Sequence, residues 1–231
     1  MNDQVFSYRE MCDQEGVQVL QRGMNYRMKP NYSVILMSRR PNAPYPDKIL
    51  SDEITIEYVG HDEPKTSYDF NPKSVSQPRI TKYGKLTQNG LFVDAVDQYK
   101  QGKRNPELVK VYEKVLPGVW SMKGYFDLLD YKYKYEDDGK RNIFVFSLKL
   151  NNMAVLGNNF KVELKHNRLI SSEIKKEVWV RDGGKCVLCR SIKNLHFDHD
   201  LPFSKGGTSL TAKNVRLLCM KCNLAKSDKI E

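Results

Sequence analysis

Between residues 16 and 150, apolar positions come in short runs rich in β-branched and aromatic residues: "YSVILMS" (32–38), "EITIEYVG" (53–60), "LVKVYEKV" (108–115), "GYFDLLDYKYKY" (124–135) and "NIFVFSLKL" (142–150). Pro, Gly or Asp clusters separate them, which predicts strands of a curved sheet or barrel. Asp138-Gly139 predicts a hairpin turn between the last two. One segment breaks the rhythm: "NGLFVDAVDQYKQG" (89–102) places Leu91, Phe92, Ala95, Val96 and Tyr99 at helical spacing, with Gly102 as its C-cap. This helix should plug or flank the barrel. Residues 151–170 lose the strand pattern and gain Asn and Gly, so a domain boundary is expected near residue 160. Beyond it, "EIKKEVWVRD" reads as a helix N-capped by Ser171 or Ser172, with Ile174, Val178 and Trp179 as an apolar stripe and Gly183-Gly184 as its stop. The pattern is α+β.

Composition narrows the partner. The 231 residues are 40% hydrophobic and 29% charged, an ordinary globular balance, but 38 Lys and Arg against 28 Asp and Glu leave a formal charge of +10. That favours a polyanion, nucleic acid first, although membrane-surface proteins and basic enzymes share such values. The N-terminus "MNDQVFSYREMCDQEG" has no apolar signal core, and no apolar run reaches membrane-spanning length. A soluble, cytoplasmic protein is expected, prokaryotic by the function inferred below. In that compartment paired cysteines hold metal more often than they form disulfides. Cys12 stands apart with no partner in the pattern, a bland small residue.

Four cysteines form two Cys-x-x-Cys pairs, Cys186/Cys189 and Cys219/Cys222, a pattern that builds a closed tetrahedral zinc site with no position left for substrate. The stretch between the pairs is longer than a simple zinc ribbon needs, and it contains "FDHDLPFSKGG" (197–207). The run "CVLC…LHFDHDLPFSKGGTSLTAKNVRLLCMKCNLAKSDK" over residues 179–229 closely resembles the HNH nucleases with a ββα-metal site, its Asp-His, Gly-Gly, Asn-x-x-x-Leu-Cys and Cys-Asn-x-x-Lys elements in order. The resemblance implies His199 as general base, Asp198 and Asn223 as ligands of a catalytic divalent ion (Mg2+ or Mn2+), and Asn214 as the residue that fixes the loop carrying the base. It also implies structural Zn2+ on the four cysteines, and products with 5′-phosphate and 3′-hydroxyl ends. The residues suit that chemistry. A histidine with an ordinary pKa of about 6.5 can take a proton from water near neutrality, and a carboxylate with an amide oxygen can hold a hard ion. Neighbours on a strand point to opposite faces, so a bend is expected near Asp198 and His199, helped by Pro202 and Gly206-Gly207. Lys221, Lys226 and Lys229 are expected along the phosphate path, and Asp200 facing solvent.

The order of elements over residues 16–150, "GVQVL…YSVILMS…EYVGHD…NGLFVDAVDQYKQG…LVKVYEKV…GYFDLLDYKY…NIFVFSLKL", resembles the SRA (SET- and RING-associated) domains, PUA-like barrels that flip a modified cytosine out of DNA. The resemblance implies Tyr58 stacking on the flipped base, Asp47 bonding to the cytosine edge and Tyr45 as a second aromatic wall. Met122-Lys123-Gly124 stand where that family carries Tyr-Asp-Gly. A flipped base must recover its stacking from aromatic faces and its pairing from polar groups, so a Tyr, Asp, Tyr set is suitable. The expectation is an SRA-like reader (1–155), a linker (156–170) and an HNH domain (171–231), acting as a homodimer that cuts double-stranded DNA bearing 5-methyl- or 5-hydroxymethylcytosine. The rivals are a sequence-specific restriction or homing endonuclease reading unmodified bases, and a non-catalytic zinc-containing nucleic-acid binder.

Overall fold

The computed structural model of the protein describes residues 3–21, 23–29, 31–39, 45, 47–52, 54–65, 70–138, 140–151, 170–200 and 211–226. Along them run β1 (Val5–Phe6), α1 (Tyr8–Glu15), β2 (Met24–Lys29), β3 (Tyr32–Met37), β4 (Lys48–Ile49), β5 (Thr55–Val59), α2 (Gln88–Lys100), β6 (Glu107–Leu116), β7 (Val119–Glu136), β8 (Arg141–Leu150), α3 (Ser172–Asp182), β9 (Leu195–His199), β10 (Val215–Cys219) and α4 (Met220–Lys226). The α+β expectation and each predicted strand hold. The boundary near residue 160, all of the linker 156–170 but Ile170, Gly139, Pro202, Gly206, Gly207 and Lys229 lie outside the described residues.

Strands β2-β3-β6-β7-β8-β5-β4 form one sheet in that order, with β1 paired to β7. The β3–β6 pairing is parallel and the others antiparallel. Among the described residues no ladder closes the sheet into a barrel, and side chains tie its two ends together. The Asp47 carboxylate accepts from Val59 N at 3.1 Å on β5 and from Ser38 N at 3.2 Å just past β3. His61 Nε2 accepts from Met24 N at 2.7 Å on β2. Against the sheet lies α2, N-capped by Thr87 and burying Phe92, Val93, Ala95 and Val96 among Phe126, Phe144 and Phe146. It ends at Lys100, capped by Gln101, and Gly102 follows in the left-handed conformation at φ 69°; Val93 is buried where Leu91 and Tyr99 are only half so.

The phrase "GVQVL" is not a strand. Gly16 closes α1 in the left-handed conformation, φ 67°, and residues 17–21 continue as loop. Helix α1 itself carries a capping box between Ser7 and Glu10.

Three features bind the large sheet to the C-terminal ββα unit. Residues 3–6 form a stitch: Asp3 N donates to Met122 O (2.7 Å), Phe197 N donates to Asp3 O (3.0 Å), and Gln4 bridges His196. Beside the stitch, Val115, Leu116 and Val119 pack in the same apolar cluster as Val178, Cys186, Phe197, Leu217 and Leu218. A buried ionic group completes the junction. Glu113 pairs with Lys123 at 2.6 Å, both fully buried, and accepts from the Ser172 hydroxyl at the start of α3, while Lys175 reaches Ser121 Oγ (2.9 Å) and the Asp3 carboxylate. Buried charges are tolerated only when paired in this way. Among the described residues no helix is long and apolar enough to cross a membrane.

Candidate active site

The ββα unit is assembled by local signals. Ser171, the first of the two expected candidates, N-caps α3, and Gly183 ends the helix at φ 65°. Asp182 then accepts from Leu217 N at 2.8 Å, while Arg181 donates to the carbonyls of Ala212 (2.7 Å) and Val215 (2.6 Å), so the end of α3 positions β10. β10 pairs with β9, placing Asp198 opposite Arg216 and His199 opposite Val215. The first knuckle is tied to the same hairpin by Val187 N donating to Leu217 O at 2.9 Å.

The four cysteines come together as the spacing predicts. Their Sγ atoms lie within 4.8 Å of one another, compatible with a tetrahedral ion at Zn–S bonds of about 2.3 Å, which spaces the sulfurs by roughly 3.8 Å. Cys186 and Cys219 are buried, Cys222 is half-buried and Cys189 exposed. Burial would raise the Cys186 thiol, but backbone amides, the Cys189 N–H foremost, outweigh it and hold it at about 6, while hydrogen bonds with Cys189 and Cys219 push the Cys222 thiol up to about 12. The donor set fits structural zinc. Cys12 is fully buried in the cluster of Met11, Phe6 and Tyr112.

At the end of β9, Asp198 and His199 are both half-buried. The pairing of β9 to β10 continues without a register shift through His199, and the chain bends at the next residue, Asp200. That residue is held by Asn214, whose carbonyl accepts from Asp200 N at 2.8 Å, so Asn214 restrains the chain after His199 through its backbone. Asp200 does not simply face solvent, because its carboxylate pairs with Arg216 at 3.1 Å. His199 is held below the usual imidazole range by burial, with Lys226 adding to the effect and Asp3 and Asp198 opposing it. Asn223 lies half-buried on α4, three residues before Lys226 and so on the same face. That face looks onto β9, because Lys226 Nζ donates to Asp198 Oδ2 at 2.7 Å and to the His199 carbonyl. Lys226 is only 3% exposed, a correction to its expected place along a phosphate path; Lys221 is exposed.

The family model described as HNH endonuclease matches residues 186–229. These residues are an HNH endonuclease domain. The match takes in both cysteine pairs, Asp198, His199, Asn214 and Asn223. No curated protein matches the chain. Solved structures similar to it include the SRA domain of SUVH5 in complex with hemimethylated CG DNA (17% identity, 64% of this chain and 86% of that one, TM-score 0.43). The modification-dependent restriction endonuclease TagI is similar over 99% of this chain and 78% of its own (16% identity, TM-score 0.43), and KRYPTONITE with mCHG DNA over 72% and 34% (16% identity, TM-score 0.41).

The HNH domain does not use the other three singled-out residues. Tyr45, Asp47 and Tyr58 line one cavity of about 760 Å³ in the large sheet, together with Ser38, Lys114 and Trp120. Asp47 is 8% exposed, and burial pushes its carboxyl up to about 7 against the Val59 and Ser38 amides that lower it. Tyr58, 2% exposed, belongs to the sheet core and forms a deep wall rather than an open platform. Tyr45 is half-buried, bonded to Asp62, with Lys73 Nζ 4.6 Å from its ring centroid. Gly23 completes the wall at φ 104°, where an added Cβ would meet His61 Nε2 at 2.3 Å and the Tyr58 hydroxyl at 2.8 Å. Trp120 and Lys114, its ammonium 5.5 Å from the Trp120 ring centroid, line the same cavity and were not singled out in the sequence. Their register as a cross-strand pair on β6 and β7 was the available signal.

Proposed function

We propose that the protein is a modification-dependent restriction endonuclease, which flips a 5-methyl- or 5-hydroxymethylcytosine into the Tyr45–Asp47–Tyr58 cavity and hydrolyses the DNA backbone with its HNH domain. The observation that carries this reading is the convergence of those three residues, distant from the HNH motif in sequence, on one apolar cavity that, among the described residues, contains a single deep carboxyl group. Aromatic walls replace lost stacking, and a buried acid answers the polar base edge. A carboxyl group titrating near 7 can accept from the cytosine amino group and, when protonated, donate to the ring nitrogen.

In the HNH domain, His199 takes a proton from the attacking water, and Asp198 and Asn223 hold the catalytic divalent ion, magnesium or manganese. That ion supplies positive charge to the scissile phosphate and the departing oxygen. Asn214 fixes the chain after the base. Zinc on Cys186, Cys189, Cys219 and Cys222 builds the domain. Residues 1–155 are the reader and 171–231 the cutter, joined by 156–170. A methyl group adds only about 1–3 kcal/mol of discrimination in an apolar pocket, so two chains reading two sites and cutting both strands make a homodimer the functional unit.

The test is His199→Ala. It abolishes cleavage while binding of modified DNA stays within a few-fold of wild type. Retained cleavage would remove His199 from the chemistry, and equal affinity for unmodified DNA would remove the reader.

A further inference from the structure

Lys226 ends α4, and its ammonium is enclosed: the side chain is 2% exposed. Burying an ammonium is costly unless every charge and proton finds a partner. Its partners here are the Asp198 carboxylate, through Oδ2 at 2.7 Å, and the main-chain carbonyl of His199. A lysine serving a DNA phosphate has to present its ammonium to the surface; this one points inward, to two consecutive residues of β9.

We propose that Lys226 is a positioning residue of the nuclease site, which clamps the side chain of Asp198 and the peptide after His199 in one grip and leaves Asp198 Oδ1 as the single oxygen offered to the divalent ion. This rests on the reading of Asp198 as an ion ligand. The motif spacing supports the geometry. Asn223 and Lys226, three apart on α4, share a face, and Cys222 anchors the start of that face through the zinc cluster. One short helix therefore delivers a second ligand and the clamp to the same carboxylate.

The clamp has an electrostatic cost. A fixed positive charge 2.7 Å from a ligand oxygen opposes binding of a cation at that carboxylate. Its benefit is geometric, since groups that orient an ion's ligands are worth about 10–100-fold in activity or affinity. Ion affinity and turnover should therefore move in opposite directions when the ammonium is removed, which a merely structural role would not produce.

The experiment compares wild type, Lys226→Met and Lys226→Gln. Manganese binding is followed by electron paramagnetic resonance on the DNA-free protein, and cleavage kinetics are measured on the modified DNA that wild type cuts. Zinc content and unfolding midpoint establish that each variant is folded; should Lys226→Met fail to fold, Lys226→Gln, which retains hydrogen-bond donors without charge, carries the comparison. The expected result is manganese binding several-fold tighter than wild type in both variants. In Lys226→Met, kcat falls about 10–100-fold at unchanged KM, and Lys226→Gln lies between it and wild type. Unchanged kcat, or ion affinity and kcat falling together, would overturn the clamp. A wild-type protein that cuts no DNA would overturn the nuclease reading instead.

Discussion

Lys114 and Val115 are consecutive on β6 and serve different modules. Lys114 lines the cavity of Tyr45, Asp47 and Tyr58, whereas Val115 is fully buried in the apolar cluster of the HNH domain. The register of β6 against β7 shifts between Lys114 and Leu116, and across that irregularity the same hairpin contributes a cavity wall and a piece of nuclease core. Because the two modules share this core, the stitch at residues 3–6 and the Glu113–Lys123 pair, they should unfold as one unit. Urea denaturation followed by tryptophan fluorescence (Trp120 in the large sheet, Trp179 on α3) and by far-ultraviolet circular dichroism should give one coincident transition, and Val115→Ala should move it as a whole by about 2 kcal/mol. Two separate transitions would show the junction to be weak.

Zinc removal should spread beyond the cysteines. Cys186 and Cys219 lie in the same cluster as Val115 and Leu217, so chelation, or Cys186→Ser, removes a cross-link from the shared core as well as from the nuclease fold. The expected outcome is loss of cleavage together with a lower unfolding midpoint for the entire chain. A zinc-free protein that unfolds and cuts like wild type would contradict the structural role.

Asp47 should impose a pH dependence on stability. Burial raises its folded pKa from the ordinary 3.8 to about 7, so the folded protein retains a proton that the unfolded chain releases. Stability from this group is therefore full below about pH 4 and is lost progressively as the pH rises through 7, by a few kcal/mol in all. The stability difference between wild type and Asp47→Asn, measured from pH 4 to 8.5, should shift against wild type across that interval. A difference flat with pH would place the Asp47 pKa near its ordinary value.

Much of the site was legible because its determinants are local. Two Cys-x-x-Cys turns, the Asp198-His199 pair, and Asn223 beside Cys222 each set their geometry within a few residues, and the β-branched runs marked β3, β5, β6 and β8. What could not be read depends on partners far apart in the chain. Glu15 is buried beneath Lys110, Tyr112 and Tyr32, and Lys123, standing where the SRA family carries its signature, is buried on Glu113. A lysine alone gives no sign of such a fate. Lys226 was misplaced for the same reason: its spacing from Asn223 was visible, but not the enclosure of its ammonium. The stitch at residues 3–6 is too short for a periodic signal, whereas α1 was announced by Ser7 and Glu10 and went unread. The convergence of Asp47 with Tyr58 came through the SRA resemblance, since no local pattern joins them.

The account is tested most directly by cleavage of three otherwise identical DNAs carrying cytosine, 5-methylcytosine or 5-hydroxymethylcytosine, in magnesium or manganese, with His199→Ala as control. The predicted result is cutting confined to modified DNA and abolished in the variant. Equal cutting of all three by wild type would leave the nuclease standing and contradict the reader.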